Sequence, residues 1–161
     1  MENSNNFEEK TQMKDEVLNV DIKEELNNLS KQISNISTGK LILFSILSLS
    51  IYLWIWMCKI IGKLNILNLS KKYKAGLWIS YIFSILLLIV CIINGENSAA
   101  DKIGRLSGIF FIIFTYTAIN VVKTYCVEKY HKAIKVNHLG AIFFSVFYLN
   151  FFINTLDKRL K

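Results

Sequence analysis

Four long apolar blocks that contain no charged side chain are the feature that most constrains the fold of this chain. The blocks cover residues 41–58, 75–94, 106–122 and 139–156. A bilayer core needs about 20 residues of helix, with a range of about 17–25. Elements of a soluble protein instead place polar side chains at regular intervals among the apolar ones. The blocks therefore predict an all-α integral membrane protein with about four transmembrane helices.

The charged residues are distributed as this interpretation requires. Residues 1–40 hold eight acids and five lysines, a net charge of −3, whereas residues 41–161 hold four acids and fourteen Lys or Arg, a net charge of +10. The basic side chains lie between the apolar blocks, where they can contact anionic lipid headgroups. No nucleic-acid-binding motif is present, so the expected partner is the lipid bilayer and not a nucleic acid.

The polar region 1–40 is interpreted as a hydrophilic N-terminal tail that precedes a membrane domain at 41–157. An amphipathic or coiled-coil helix is expected at about 13–38. Its apolar side chains are spaced 4, 3, 4 and 3 residues apart, as Ile22, Leu26, Leu29, Ile33 and Ile36. This tail seam covers little more than two heptads, so an isolated amphipathic helix and self-association through a coiled coil both remain open. With four spans, both ends of the chain lie on one side of the membrane.

The connectors at 59–74 and 123–138 carry apolar residues at helical spacing among lysines. They are interpreted as amphipathic segments in the membrane interface, or as extensions of the preceding spans. Aromatic and basic residues mark the end of the first block, and we expect them to anchor it at the headgroups. These anchor residues are Tyr52, Trp54, Trp56, Lys59, Lys63 and Asn65.

The polar groups inside the four blocks are hydroxyls and carboxamides, accompanied by a few glycines. In a membrane such side chains typically mediate helix packing, because interhelical hydrogen bonds contribute about 0.6–2 kcal/mol and small residues allow close approach. The predicted packing residues are Ser45, Ser48, Gly76, Ser80, Ser84, Asn120, Asn150 and Asn154. A ligand or permeation path lined by the same side chains is the alternative.

Catalytic and metal chemistry have little support in the sequence. No charged residue lies inside a block, which argues against an ion-coupled transporter, and no catalytic or phosphate-binding motif is present. His131, His138 and Glu128 are the available candidates for an enzyme acting at the lipid interface. A metal site needs three or four ligands that converge. We therefore expect no catalytic residue, metal or cofactor.

The end of the first block and the connector after it form a pattern of Ile51, Tyr52, Trp56 and Asn65, and the last block contains Tyr148, Leu149, Asn150 and Asn154. With these residues the chain resembles domain-of-unknown-function family 4234, small bacterial multi-span membrane proteins. The resemblance covers residues 41 to about 157. This chain has Ser48 and Ser50 where the family pattern has a Thr-x-Gly turn. Membership implies a membrane location and no known reaction.

The sequence favours a non-catalytic protein that acts in the membrane through homo- or hetero-assembly. A small oligomeric channel or permeabilising protein is one alternative, and a membrane enzyme acting at the lipid interface is another. The frequent use of Ile, Asn and Lys is typical of an AT-rich bacterial or phage genome, and the expected location is the bacterial cytoplasmic membrane.

Overall fold

A computed structural model describes residues 2–48, 51–67, 71–94 and 98–159 of the chain. Across these residues the protein is helical and contains no β-strand, which confirms the predicted all-α class. The helices are α1 (Glu2–Ile33), α2 (Thr38–Leu47), α3 (Ile51–Leu64), α4 (Lys71–Asn94), α5 (Ser98–Tyr130) and α6 (His138–Asn154). Short 3₁₀ turns follow α3 at Asn65–Leu67 and α6 at Leu156–Lys158.

Two of these helices are long and apolar enough to cross a membrane. They are Lys72–Ile93 within α4 and Arg105–Tyr130 within α5, with mean hydropathies of 2.6 and 1.6. Only 17% and 33% of these stretches are buried inside the protein, and α4 packs mainly against α5. A core helix of a soluble protein is mostly buried, so the outward apolar surface of this pair associates the chain with a membrane.

The structure divides the first apolar block into two helices, α2 of 10 residues and α3 of 14 residues, where a single span was predicted at 41–58. Ser48 ends α2, because its N–H still bonds back to Phe44 while its backbone leaves the helical region. The Ser48 hydroxyl accepts a hydrogen bond from the N–H of Tyr52 at 2.9 Å. That bond satisfies one of the free N–H groups in the first turn of α3.

The third block is longer in the structure than in the prediction. α5 has 33 residues and continues into the segment at 123–138, which was interpreted as an amphipathic interfacial segment or as an extension of the preceding span. The helix ends at Tyr130. Val122 and Cys126 lie one turn apart on its buried face, so the apolar stripe continues past the uncharged stretch. His131 then adopts a left-handed conformation with φ 53°, which ends the helix.

The last block contains a bend that the sequence did not predict. Ser145 has φ 40° and ψ −114° inside α6, and its hydroxyl lies 3.3 Å from that of buried Thr115 on α5. In a continuous helix residues 137 and 148 would be separated by about 16 Å. The bend instead brings the Tyr148 hydroxyl to within 2.7 Å of the Asn137 nitrogen.

The core lies where α3, α5 and α6 meet, and the N-terminal helix covers part of it. α1 contacts α3, α6 and the C-terminal 3₁₀ turn. Phe114, Met57 and Phe152, from α5, α3 and α6, are completely buried at the centre. The hydrophilic tail is therefore a long helix of which the C-terminal part belongs to the same core as the membrane domain.

Candidate functional site

Asn150 of α6 is completely buried and joins the membrane domain to the segment that follows the N-terminal helix. Its Oδ1 accepts a hydrogen bond from the hydroxyl of buried Ser34. Its Nδ2 donates to the carbonyl oxygen of Ile36 at 3.1 Å and to the Thr38 hydroxyl at 3.2 Å. The oxygen and the nitrogen of one carboxamide thus both form hydrogen bonds to residues within 34–38.

Asn154, one helical turn later, donates a second hydrogen bond to the same carbonyl oxygen of Ile36 at 2.8 Å. Because both amides bind this peptide group, the chain between α1 and α2 is fixed on α6. We call this set of five residues the amide clamp: Ser34, Ile36, Thr38, Asn150 and Asn154. The sequence predicted Asn150 and Asn154 as helix-packing residues. In the structure Asn150 bonds to Thr38, the first residue of α2, and both amides also bond to the linker that precedes it.

The tail seam packs within the chain. Ile22, Leu26 and Ile33 are 7%, 0% and 2% exposed and belong to the protein core. Leu29 and Ile36 are partly buried against the same core. Burial of a large aliphatic side chain stabilises by about 1.5–3 kcal/mol. The seam and the amide clamp together hold the C-terminal half of α1 against the membrane domain, and in this arrangement the seam is covered.

An ion pair joins α1 to the end of α5 at the surface. The Lys129 ammonium donates to Glu25 Oε2 at 2.9 Å and lies 4.8 Å from the centre of the Tyr130 ring. The hydrogen bond from Lys129 holds the pKa of the Glu25 carboxyl below its ordinary value. The attraction is present at neutral pH and disappears as the pH falls through this lowered pKa. Because both groups are exposed, the pair orients α1 more than it stabilises it.

Arg159 ties the C-terminal end to the start of α6. Its Nη1 donates to the Lys135 carbonyl oxygen and to the Tyr148 hydroxyl, each at 3.3 Å. The same Tyr148 oxygen accepts the N–H of Asn137, the N-cap residue of α6, at 2.7 Å. The guanidinium also lies 5.2 Å from the centres of the Phe151 and Phe152 rings. These contacts place a cation beside an aromatic surface.

Gly140 is required for this arrangement. A Cβ placed on it would lie 2.8 Å from two ring carbons of Tyr148, and the hydroxyl of that ring is held at Asn137 and Arg159. We expect Gly140→Ala to lower the free energy of unfolding by about 0.5–2 kcal/mol, since overpacking costs about 1–3 kcal/mol and the gain in helix propensity returns only about 0.5–1. Denaturant titration in mild detergent measures the change.

Gly62→Ala is the matched control for this prediction, because a Cβ at Gly62 in α3 meets nothing within 4 Å. Only the gain in helix propensity applies there, so the control is expected to stabilise the protein by about 0.5–1 kcal/mol. The two substitutions should have opposite signs. Equal effects would show that the Tyr148 ring is not fixed over Gly140.

The predicted packing serines bond to their own helices. Ser45 donates to Leu41, Ser48 to Phe44, Ser80 to Gly76 and Ser84 to Tyr81, in each case to the backbone carbonyl. Ser45, Ser80 and Ser84 are buried nonetheless, and a Cβ on Gly76 would lie 3.6 Å from the Thr117 methyl group on α5. Their contribution to packing therefore comes from small size. Asn120 is exposed on α5.

The anchor residues have different environments. Trp56 is buried, and Trp54 is half-buried with its ring 5.0 Å from that of Phe111 and 6.1 Å from that of Tyr81. Tyr52 is half-buried against Phe44. The polar anchor residues lie outside this cluster, with Lys59 exposed and Lys63 and Asn65 half-buried.

The histidines considered for interfacial chemistry serve the ends of helices. His131 is the left-handed residue after α5, and the His138 ring stacks on that of Tyr116 at 6.0 Å. Within the described parts of the chain, no three His, Cys, Asp or Glu side chains lie close enough together to hold a metal ion. Ser34, Thr38, Tyr148 and Arg159 were not predicted as site residues, because each acts through a partner distant in the sequence.

Comparison of the chain with protein-family models, with curated proteins and with solved structures found no match. The resemblance to domain-of-unknown-function family 4234 stays a prediction. What is established is an all-helical chain with two helices able to cross a membrane and an N-terminal helix clamped to α6.

Proposed function

We propose that this chain is a non-catalytic, multi-pass protein of the bacterial cytoplasmic membrane that acts through assembly, and that it presents its N-terminal helix to a partner. The amide clamp carries this proposal, because the carboxamides of buried Asn150 and half-buried Asn154 fix the base of α1 to the membrane domain. A helix attached only by a flexible linker would need no such bonds.

The bilayer location is supported by the four apolar blocks, which form α2 with α3, α4, α5 and α6. α4 exposes large apolar side chains on most sides, and Ile92 and Ile93 are 71% and 76% exposed. α6 is about 26 Å long without its bend, close to the thickness of the bilayer core. At the break between α2 and α3, the Ser48 hydroxyl pairs the N–H of Tyr52. Such pairing makes a helix break tolerable within a bilayer.

An exposed apolar patch on α1 supports an assembly role. The helix is about 48 Å long, and its buried seam runs from Ile22 to Ile33. Before the seam, Val17, Leu18 and Val20 are 58%, 55% and 62% exposed. Val17 and Val20 are three residues apart and are neighbours on one face of a helix that is held in place, and Leu18 extends the apolar surface beyond Val17. Such a surface is suited to a partner helix.

Photo-crosslinking in native membranes tests this assignment. A photoreactive residue at Leu18 is expected to give a crosslinked product of one defined mass, and the same residue at Glu24, which is exposed on the docked part of α1, is the control. A product of twice the mass of the chain identifies a second copy, and another defined mass identifies a different protein. Replacing Val17 and Val20 with serine should remove the product.

Two results would contradict the proposal in different ways. If the photoreactive residue gives no more product at Leu18 than at Glu24, the surface of α1 around Leu18 has no partner and the assembly role is wrong. If washing membranes at alkaline pH releases the chain into the supernatant, the multi-pass location is wrong, because four embedded helices resist that treatment.

A further inference from the structure

An apolar groove with a volume of about 320 Å³ opens between α2 and α6. Its walls include Ile42 on α2 and Phe144, Phe147 and Phe151 on α6. This volume lies at the lower end of the range of about 300–1,000 Å³ that is typical of small-molecule sites. Phe144 is 65% exposed and Phe151 is 47% exposed, so the groove is open along its side. A ligand would therefore enter it from the surroundings of the helices.

A cation without a counter-charge lies at the rim of the groove. Tyr148 lines the groove and bonds to Arg159, and the guanidinium is 5.2 Å from the ring centre of Phe151. The hydrogen bonds of Arg159 go to neutral oxygens of Thr155, Lys135 and Tyr148. In the part of the chain that the structure describes, this guanidinium forms no ion pair and its Nη2 has no hydrogen-bond partner.

We propose that the groove binds one anionic phospholipid, with an acyl chain along the phenylalanine wall and the phosphate on Arg159. Lys135, Tyr148 and Thr155 hold Nη1 and Nε of Arg159, so its Nη2 keeps its N–H groups for a charge-assisted contact with a phosphate. The apolar wall gives an acyl chain a place that free phosphate cannot use. A partner helix would need a larger surface than this groove offers. The inference rests on the proposed membrane location.

Native mass spectrometry of the full chain in mild detergent tests the site. With phosphatidylglycerol we expect one bound lipid per chain, with a half-saturating concentration about tenfold below that of phosphatidylcholine. Both lipids carry a phosphate, but the choline cation cancels the net negative charge that Arg159 attracts. Arg159→Gln should remove this preference, and Arg159→Lys should restore part of it. Lys158→Gln is the charge control, because Lys158 is an exposed neighbour that carries the same charge.

The apolar part of the site has its own pair of variants. Ile42→Trp fills the groove and is expected to reduce the binding of phosphatidylglycerol at least about tenfold, by excluding the acyl chain. Ile46→Trp adds the same side chain one turn later on α2, at a residue that is 69% exposed and does not line the groove. The control should bind as the unmodified chain does. Circular dichroism of each variant checks that the helices remain formed.

Three outcomes would overturn the lipid site. The first is equal binding of the two lipids, and the second is an equal loss of phosphatidylglycerol binding in Arg159→Gln and Lys158→Gln. The third is displacement of the lipid by millimolar inorganic phosphate, which would indicate a site for a free anion. Each can occur while the chain stays in alkali-washed membranes. In that case the groove proposal fails and the membrane location stands. Release of the chain from the membranes would remove the basis of both.

Discussion

Replacing Leu26 with alanine is expected to detach α1 from the membrane domain. Leu26 is completely buried at the centre of the tail seam, between Ile22 and Ile33. Truncating a buried leucine costs about 2–5 kcal/mol, through lost burial and the cavity that remains. Hydrogen exchange of the backbone amides at 22–33 should accelerate at least about 30-fold, because the opening of this segment becomes easier by that free energy.

Leu18→Ala provides the matched control, since Leu18 lies two turns earlier on the same helix and is 55% exposed. Its truncation should leave the exchange of residues 22–33 unchanged within about twofold, because surface substitutions typically change stability by less than about 0.5 kcal/mol. Equal acceleration in the two variants would mean that α1 is not held by its seam. In that event the surface of α1 around Leu18 would not be presented to a partner either.

The ends of α4 show which part of a helix an uninterrupted apolar block predicts well. An uncharged block at 75–94 predicted a span, and the helix runs from Lys71 to Asn94. The additional turn at its start carries lysines, which a helix accommodates as readily as apolar residues. The uncharged block measures the apolar part of a helix, and the hydrogen-bonded helix extends beyond it. The same reason makes α5 longer than the block at 106–122.

The breaks in the first and last blocks could not be read from hydropathy. Serine is small and tolerated in apolar helices, so nothing in composition separates Ser48, whose hydroxyl pairs an N–H of the next helix, from Ser45, whose hydroxyl bonds within its own helix. Ser145 has a positive φ that favours glycine, and the sequence offers none there. Its hydroxyl contacts that of Thr115 on α5, a residue 30 positions earlier that only the fold brings to it.

The tail seam illustrates a different limit. Its 4, 3, 4, 3 spacing predicts an apolar stripe on a helix, and Ile22, Leu26 and Ile33 are indeed buried. The spacing does not specify the surface that covers the stripe, because a second copy and the chain's own bundle offer similar apolar contacts. The deciding interaction is the amide clamp, which joins residues 34–38 to residues more than 100 positions away. Local patterns carry no information on such a pair.

Asn150→Ala is the second substitution with a large expected effect. It removes the hydrogen bonds to Ser34, Ile36 and Thr38. Ile36 keeps the bond from Asn154, but the buried hydroxyl of Ser34 loses its acceptor. A buried polar group without a partner costs about 1–3 kcal/mol in addition to the lost bonds, so we expect a loss of about 2–4 kcal/mol. Denaturant titration should show this loss, with accelerated exchange in α1.

A double variant separates the clamp from simple loss of packing. If the Ser34 hydroxyl is costly because it is stranded, then Ser34→Ala combined with Asn150→Ala should be more stable than Asn150→Ala alone by about 1 kcal/mol, since removing both partners of a buried bond costs less than removing one. Asn120→Ala, which truncates an exposed asparagine of α5, should change stability by less than about 0.5 kcal/mol. Strictly additive effects of Ser34→Ala and Asn150→Ala would mean that the two side chains do not interact, and the part of Asn150 in the clamp would then rest on its bonds to Ile36 and Thr38.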